Sequence, residues 1–136
     1  MLKYFIILLF LISTSEFVYS HASINIEDVA NNDGYIEISI YKNKDSFINN
    51  EPLYNTRKVA TKGLTIFPIK DIHEGEISIF VYHDENNDNK LNTSIFWIPD
   101  EGFSYSNNYI PKGRPNFEKT ITYLSHGIPM YLKMNY

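Results

Sequence analysis

The chain has 136 residues and a formal net charge of −4, with no cysteine. The length fits one domain, and no run of Lys and Arg supplies the basic surface a nucleic-acid partner needs. Without cysteine the fold holds neither a disulfide nor thiol chemistry, nor an acylated N-terminal Cys, so its stability rests on the core or on a bound metal. Eleven Tyr and nine Phe, with frequent Ile, favour pleated and half-buried surfaces.

The first residues read as an export signal. Lys3 supplies a positive charge, Tyr4 to Ile12 is apolar, and Ser13-Thr14-Ser15-Glu16 is polar and small. Cleavage is expected after Ser20, or as late as Ala22, leaving residues 21–136 as a single domain that is secreted or periplasmic. An uncleaved anchor is the alternative, although the apolar run is short for a bilayer. No other stretch spans a membrane.

The rest reads as short strands and turns. Ser23 to Val29 is a weak first strand, and Asn31-Asn32-Asp33-Gly34 is a turn. Tyr35 to Tyr41 alternates, with Ile36, Ile38 and Ile40 on one side and Glu37 and Ser39 on the other. Lys42 to Asn55 is a polar loop with a helical turn near Ser46-Phe47. Gly63 to Ile69 is a strand, Asp71 to Gly75 a turn, and Glu76 to His83 a strand with Ile77, Ile79 and Val81 facing the core. Phe117 to Leu124 and Gly127 to Met134 form a last pair, joined like a hairpin through Ser125-His126-Gly127. No helical periodicity of useful length remains. The expected fold is all-β, an antiparallel sandwich of about seven strands.

The segment Asp84 to Asn116 is long and irregular, a feature often functional. It opens with oxygen side chains at alternate positions: Asp84, Asn86, Asp88 and Asn92. Calcium takes six to eight hard oxygens, and alternating Asp and Asn wraps such an ion. Lys90 stands where such loops offer a backbone carbonyl. Asn89 replaces the usual Gly, and Asn tolerates a left-handed backbone. Ile95 stands where a bidentate Glu belongs, so a further carboxylate falls to Asp100 or Glu101. The expected metal set is therefore Asp84, Asn86, Asp88, Lys90 and Asn92, with Ca²⁺ as the cofactor. The competing reading is an Asx-rich turn that caps its own backbone without an ion.

The spaced motifs His83-Asp84-Glu85-Asn86, Lys90-Leu91-Asn92, Ile98-Pro99-Asp100-Glu101-Gly102, Ser106-Asn107-Asn108 and Pro115-Asn116-Phe117, after the turn Asp71 to Gly75, resemble a bacterial secreted family, domain of unknown function 2141. The resemblance implies an immunoglobulin-like or transthyretin-like sandwich and an exported protein, and carries no established activity. Asn92 departs from an Asp of the family pattern, Trp97 from a Gly, and Asn87 and Asn89 from Gly; the change at Asn92 weakens the metal set.

Catalysis finds little support. Ser125 adjoins His126, but neighbours in sequence are not a triad, and no nucleophile elbow surrounds Ser104, Ser106 or Ser125. Asp100 and Glu101, as neighbours, point apart rather than facing a glycosidic bond. His21, as a new N-terminus, offers a copper chelate or a solvated end, and His83 reads as a hydrogen-bonded strand boundary. Phe96, Trp97, Phe103 and Tyr105 either close the fold or face a glycan or protein partner. The expected function is a non-catalytic exported module, calcium-supported through residues 84–92, with carbohydrate or protein binding through residues 96–105, or an enzyme with an unrecognised site, as the alternatives.

Overall fold

The computed structural model describes residues 21–93 and 99–136. Residues 1–20, expected to be an export signal, lie outside the described residues, as do Ile95, Phe96 and Trp97. Among the described residues, eight strands form two sheets: β1 (Ala22–Val29), β2 (Tyr35–Tyr41), β3 (Tyr54–Val59), β4 (Gly63–Ile69), β5 (Gly75–Asp84), β6 (Phe103–Tyr105), β7 (Ile121–Leu124) and β8 (Met130–Lys133). One sheet runs β4-β1-β8 and the other β3-β2-β5-β6. Strand β7 pairs the first half of β5, at Gly75–Ser78, while β6 pairs the second half, at Phe80–Tyr82.

The alternation in β2 and β5 sets the packing. Ile36, Ile38 and Ile40 from β2, and Ile77, Ile79 and Val81 from β5, point at the other sheet and are buried. Ile24 and Ile26 of β1, Phe67 and Ile69 of β4, Leu124 of β7 and Leu132 of β8 complete one core. β-Branched side chains dominate it, as suits a pleated surface packed from both sides.

Two features depart from the sequence reading. Strands β7 and β8 are not a hairpin: β7 joins the five-stranded sheet through β5, and β8 crosses to the other sheet and runs parallel to β1. Residues 117–119 form a single 3-10 turn before β7, capped by the Asn116 side chain. Strand β3 and the three-residue β6 carry no clear alternation, and their partners, not their own pattern, make them strands.

The outer face of the five-stranded sheet carries an aromatic layer. The short helix α1 (Lys44–Ile48) is capped by Asn43, whose side chain accepts from the Ser46 amide at 2.9 Å. It lays Phe47 against Tyr41 at 5.3 Å between ring centroids, and Phe80 meets Tyr105 at 4.7 Å. Phe103 and Tyr105 are therefore buried in this outer layer rather than between the sheets.

The β1–β2 turn is locked onto the end of β5. His83 is fully buried. Its Nε2 donates to the Asp33 carbonyl at 2.6 Å, which leaves Nδ1 to accept from the Tyr136 hydroxyl at 2.8 Å. Gly34 has φ +62°, and a Cβ added there would collide with the Asp84 carbonyl oxygen. Gly34→Ala should therefore lower stability by at least about 2 kcal/mol, through a left-handed backbone and a backbone clash together. Chemical unfolding of the variant beside wild type checks this, and an unchanged midpoint would show that the turn relaxes freely.

Candidate metal centre

Strand β5 delivers Asp84 to the edge of the sandwich, where the chain turns away from the sheet. Asp84 is completely buried and accepts from the backbone amides of Asp88 at 3.0 Å and Asn89 at 3.1 Å. The loop is thus folded around one carboxylate. Successive Asx turns tighten it: Asn86 Oδ1 accepts from the Asp88 amide and Asp88 Oδ1 from the Lys90 amide. Asn87 and Asn89 take left-handed backbones at φ +59° and +61°, a conformation Asn adopts more readily than most residues.

Three carboxylates converge here. One oxygen each from Asp84, Asp88 and Glu101 lies within 4.8 Å of the others. Calcium–oxygen bonds run to about 2.4 Å, so oxygens this close need only a small inward shift to share one ion. Glu101 comes from the segment that leads into β6, and its Oε2 accepts from the Asn92 amide at 3.2 Å. Its Oε1 is buried and has no hydrogen-bond partner among the described residues, although the residue is only 8% exposed. A buried, unpaired carboxylate oxygen is costly, and a cation satisfies it. Burial raises the Glu101 carboxyl above its ordinary range, with the Asp84 and Asp88 charges adding to the effect. Asp88 is exposed, and the Asn92 side-chain amide leads the contacts that hold its carboxyl below the usual range.

The predicted residues do not all serve alike. Asp84 and Asp88 belong to the carboxylate cluster. Asn86 and Asn92 present amide nitrogens to Asp88 Oδ2, at 3.3 and 3.0 Å. A half-turn of either amide would offer oxygen instead. Lys90 contributes a backbone N–H to Asp88, and its side chain is exposed. Of the two carboxylates weighed from the downstream segment, Glu101 joins the cluster, while Asp100 is exposed and bonds through its backbone to Asn92.

One contributor had no sequence signal. Arg57 of β3 lies 3.8 Å over the Tyr35 ring and 3.7 Å from Asp84 Oδ2. Its guanidinium donates to Asn87 Oδ1 at 2.6 Å and also to Asn89 Oδ1. It sits 27 positions before Asp84, in a strand whose alternation is weak, and only the register of β3 on β2 and of β2 on β5 brings it there.

Elsewhere, polar groups serve the fold. The buried Ser106 hydroxyl is engaged by the Ile79 amide and the Thr120 carbonyl. His126 holds the Ile72 carbonyl at 3.0 Å.

The fold and site define an all-β sandwich with an acidic, amide-rich loop at one end of its five-stranded sheet. The model of a family described as an uncharacterized protein conserved in bacteria, domain of unknown function 2141, matches residues 24–127, and the chain belongs to that family. No curated protein and no solved structure matches it. Among the described residues, no helix is long and apolar enough to cross a membrane.

Proposed function

We propose that the protein is an exported, non-catalytic β-sandwich module that binds calcium through Asp84, Asp88 and Glu101. Export rests on the Lys3, apolar and polar order of residues 1–20. The cation rests on one observation above all: Glu101, which shares a three-carboxylate cluster with Asp84 and Asp88, buries an oxygen, Oε1, that has no hydrogen-bond partner among the described residues. Asn86, Asn92 and solvent would complete the six to eight oxygens that calcium takes. Three hard oxygen anions with no thiol or imidazole among them favour calcium over softer metals. Phe103 and Tyr105 are packed inside the aromatic layer, which disfavours those two rings as a glycan platform.

The sign of the Glu101 shift makes the proposal testable. A carboxyl raised by folding contributes stability that is complete below its unfolded pKa and lost as pH rises through its folded value. Metal-free protein should therefore weaken as Glu101 ionises, and calcium should bind more tightly, releasing a proton, across the same pH range. Glu101→Gln keeps an oxygen for the Asn92 amide and offers an NH₂ to the facing carboxylates. It should melt above wild type in chelator and gain nothing from calcium. Wild type with a Kd of about 10⁻⁴ M should gain about 1.4 kcal/mol at millimolar calcium. That corresponds to about 5 °C for a domain of this size. Wild-type melting curves that coincide in calcium and in chelator would defeat the proposal.

A further inference from the structure

We infer that Arg57 is a built-in competitor for the cation, a side chain that props the metal-free loop open in its binding shape and weakens occupancy by its charge. The inference rests on the calcium reading above and concerns how that site is regulated.

Arg57 is held where it can do both. Its guanidinium lies over the Tyr35 ring, 3.8 Å from the centroid, which anchors it beside the loop. Its fork grips the side-chain oxygens of Asn87 and Asn89, the two loop residues with left-handed backbones between Asp84 and Lys90. Its Nη2 stands 3.7 Å from the buried Asp84 Oδ2. Glu37, its cross-strand partner in β2, is occupied by Tyr82 and Asn55, which leaves the loop as the main counter-charge for Arg57.

Without an ion, three carboxylates converge and repel one another, and Arg57 offsets part of that charge. With an ion, the balance inverts. A calcium bonded to Asp84 Oδ2 at about 2.4 Å would lie no further than about 6 Å from Arg57 Nη2, and the two positive groups repel. Even in a water-like dielectric, one unit and one double charge at about 6 Å change affinity about tenfold. The same residue thus holds the loop in shape and keeps it from binding calcium tightly. A site so tuned releases its ion when calcium falls, where an uncompensated three-carboxylate site would stay loaded.

Calorimetric titration of calcium into wild type, Arg57→Met, Arg57→Gln, Arg57→Lys and Lys112→Met, at low ionic strength, tests this. Met keeps an apolar stem over Tyr35, Gln keeps an amide donor for Asn87 and Asn89, and Lys keeps the charge. Lys112 is exposed and borders a cleft with Tyr109, Ile110 and Lys119, none of them a loop residue, so its variant controls for overall charge. The expected result is affinity raised about tenfold in at least one neutral Arg57 variant, with Arg57→Lys and Lys112→Met within about twofold of wild type. Neutral variants that both bind as weakly as wild type, or more weakly, would make Arg57 a loop organiser and overturn the inference while leaving the calcium site standing. An equal gain in Arg57→Lys or Lys112→Met would overturn it as well. If wild type and the neutral variants all fail to bind calcium, the calcium reading falls and takes the competitor with it.

Discussion

Ile38→Ala and Ile79→Ala should each destabilise the protein by about 2–5 kcal/mol, the range for large aliphatic residues cut down in a packed core. Both side chains are fully buried and come from the two central strands of the five-stranded sheet. Ile38 faces Val81 across the β2–β5 register and Ile40 faces Ile79, so the two sites are diagonal neighbours on one face. They share lining atoms, so the double variant should lose less than the sum of the singles. Against a typical domain stability of about 5–15 kcal/mol, either change is a large fraction of the total. Urea unfolding of the three variants decides it. Losses under about 1 kcal/mol would mean that the sandwich collapses around the missing methyls instead of keeping a cavity.

Asp84→Ala should have the second large effect, about 3 kcal/mol, and in chelator as well as in calcium. The sequence alone suggests two exclusive outcomes for this change, a cost seen only with calcium if the loop holds an ion, or the same cost in both buffers if it is a turn. The geometry joins the two. Asp84 accepts the Asp88 and Asn89 amides whatever else it binds, and its removal leaves the Asn89 amide without an acceptor, the Asp88 amide with Asn86 Oδ1 alone, and Arg57 without its buried counter-charge. Asp84→Asn keeps one acceptor oxygen and should cost less. Melting both variants in each buffer measures the cap, while Glu101→Gln measures the ion. An Asp84→Ala protein as stable as wild type in chelator would show that the loop does not depend on this carboxylate.

What could be read in the sequence follows from which forces are local. The isoleucine alternation of β2 and β5 is a period-2 signal that needs no partner, and both strands lie where it places them. The Asp84–Asn92 loop was legible for a similar reason: Asx turns form between neighbours, so composition alone announces them. The crossing of β8 to β1 was not legible, because Ser125-His126-Gly127 is equally good chemistry for a hairpin and only the packing of two sheets decides against one. Strand β3 was hidden behind polar residues such as Asn55, Thr56, Arg57 and Lys58, whose place is fixed by hydrogen bonding to β2. Arg57 was lost with it. Glu101 stood as one of two acidic neighbours, and which of them turned inward depended on the Asn92 amide waiting for it.

The parallel pairing of β1 with β8 has a kinetic side. Ile24 meets Met130 and Glu27 meets Lys133, so one edge of β1 is completed only by residues 106 positions further along the chain. Closing so long a loop precedes any reward from the contact, and folds dominated by such distant pairings form slowly. Until β8 arrives, β1 offers an unpaired edge flanked by Ile24 and Ile26, a template for association with other chains. Under the export proposed above, a chain whose sheet waits for so distant a strand would stay open long enough to be threaded through a translocation pore, and slow closure would become an asset rather than a hazard.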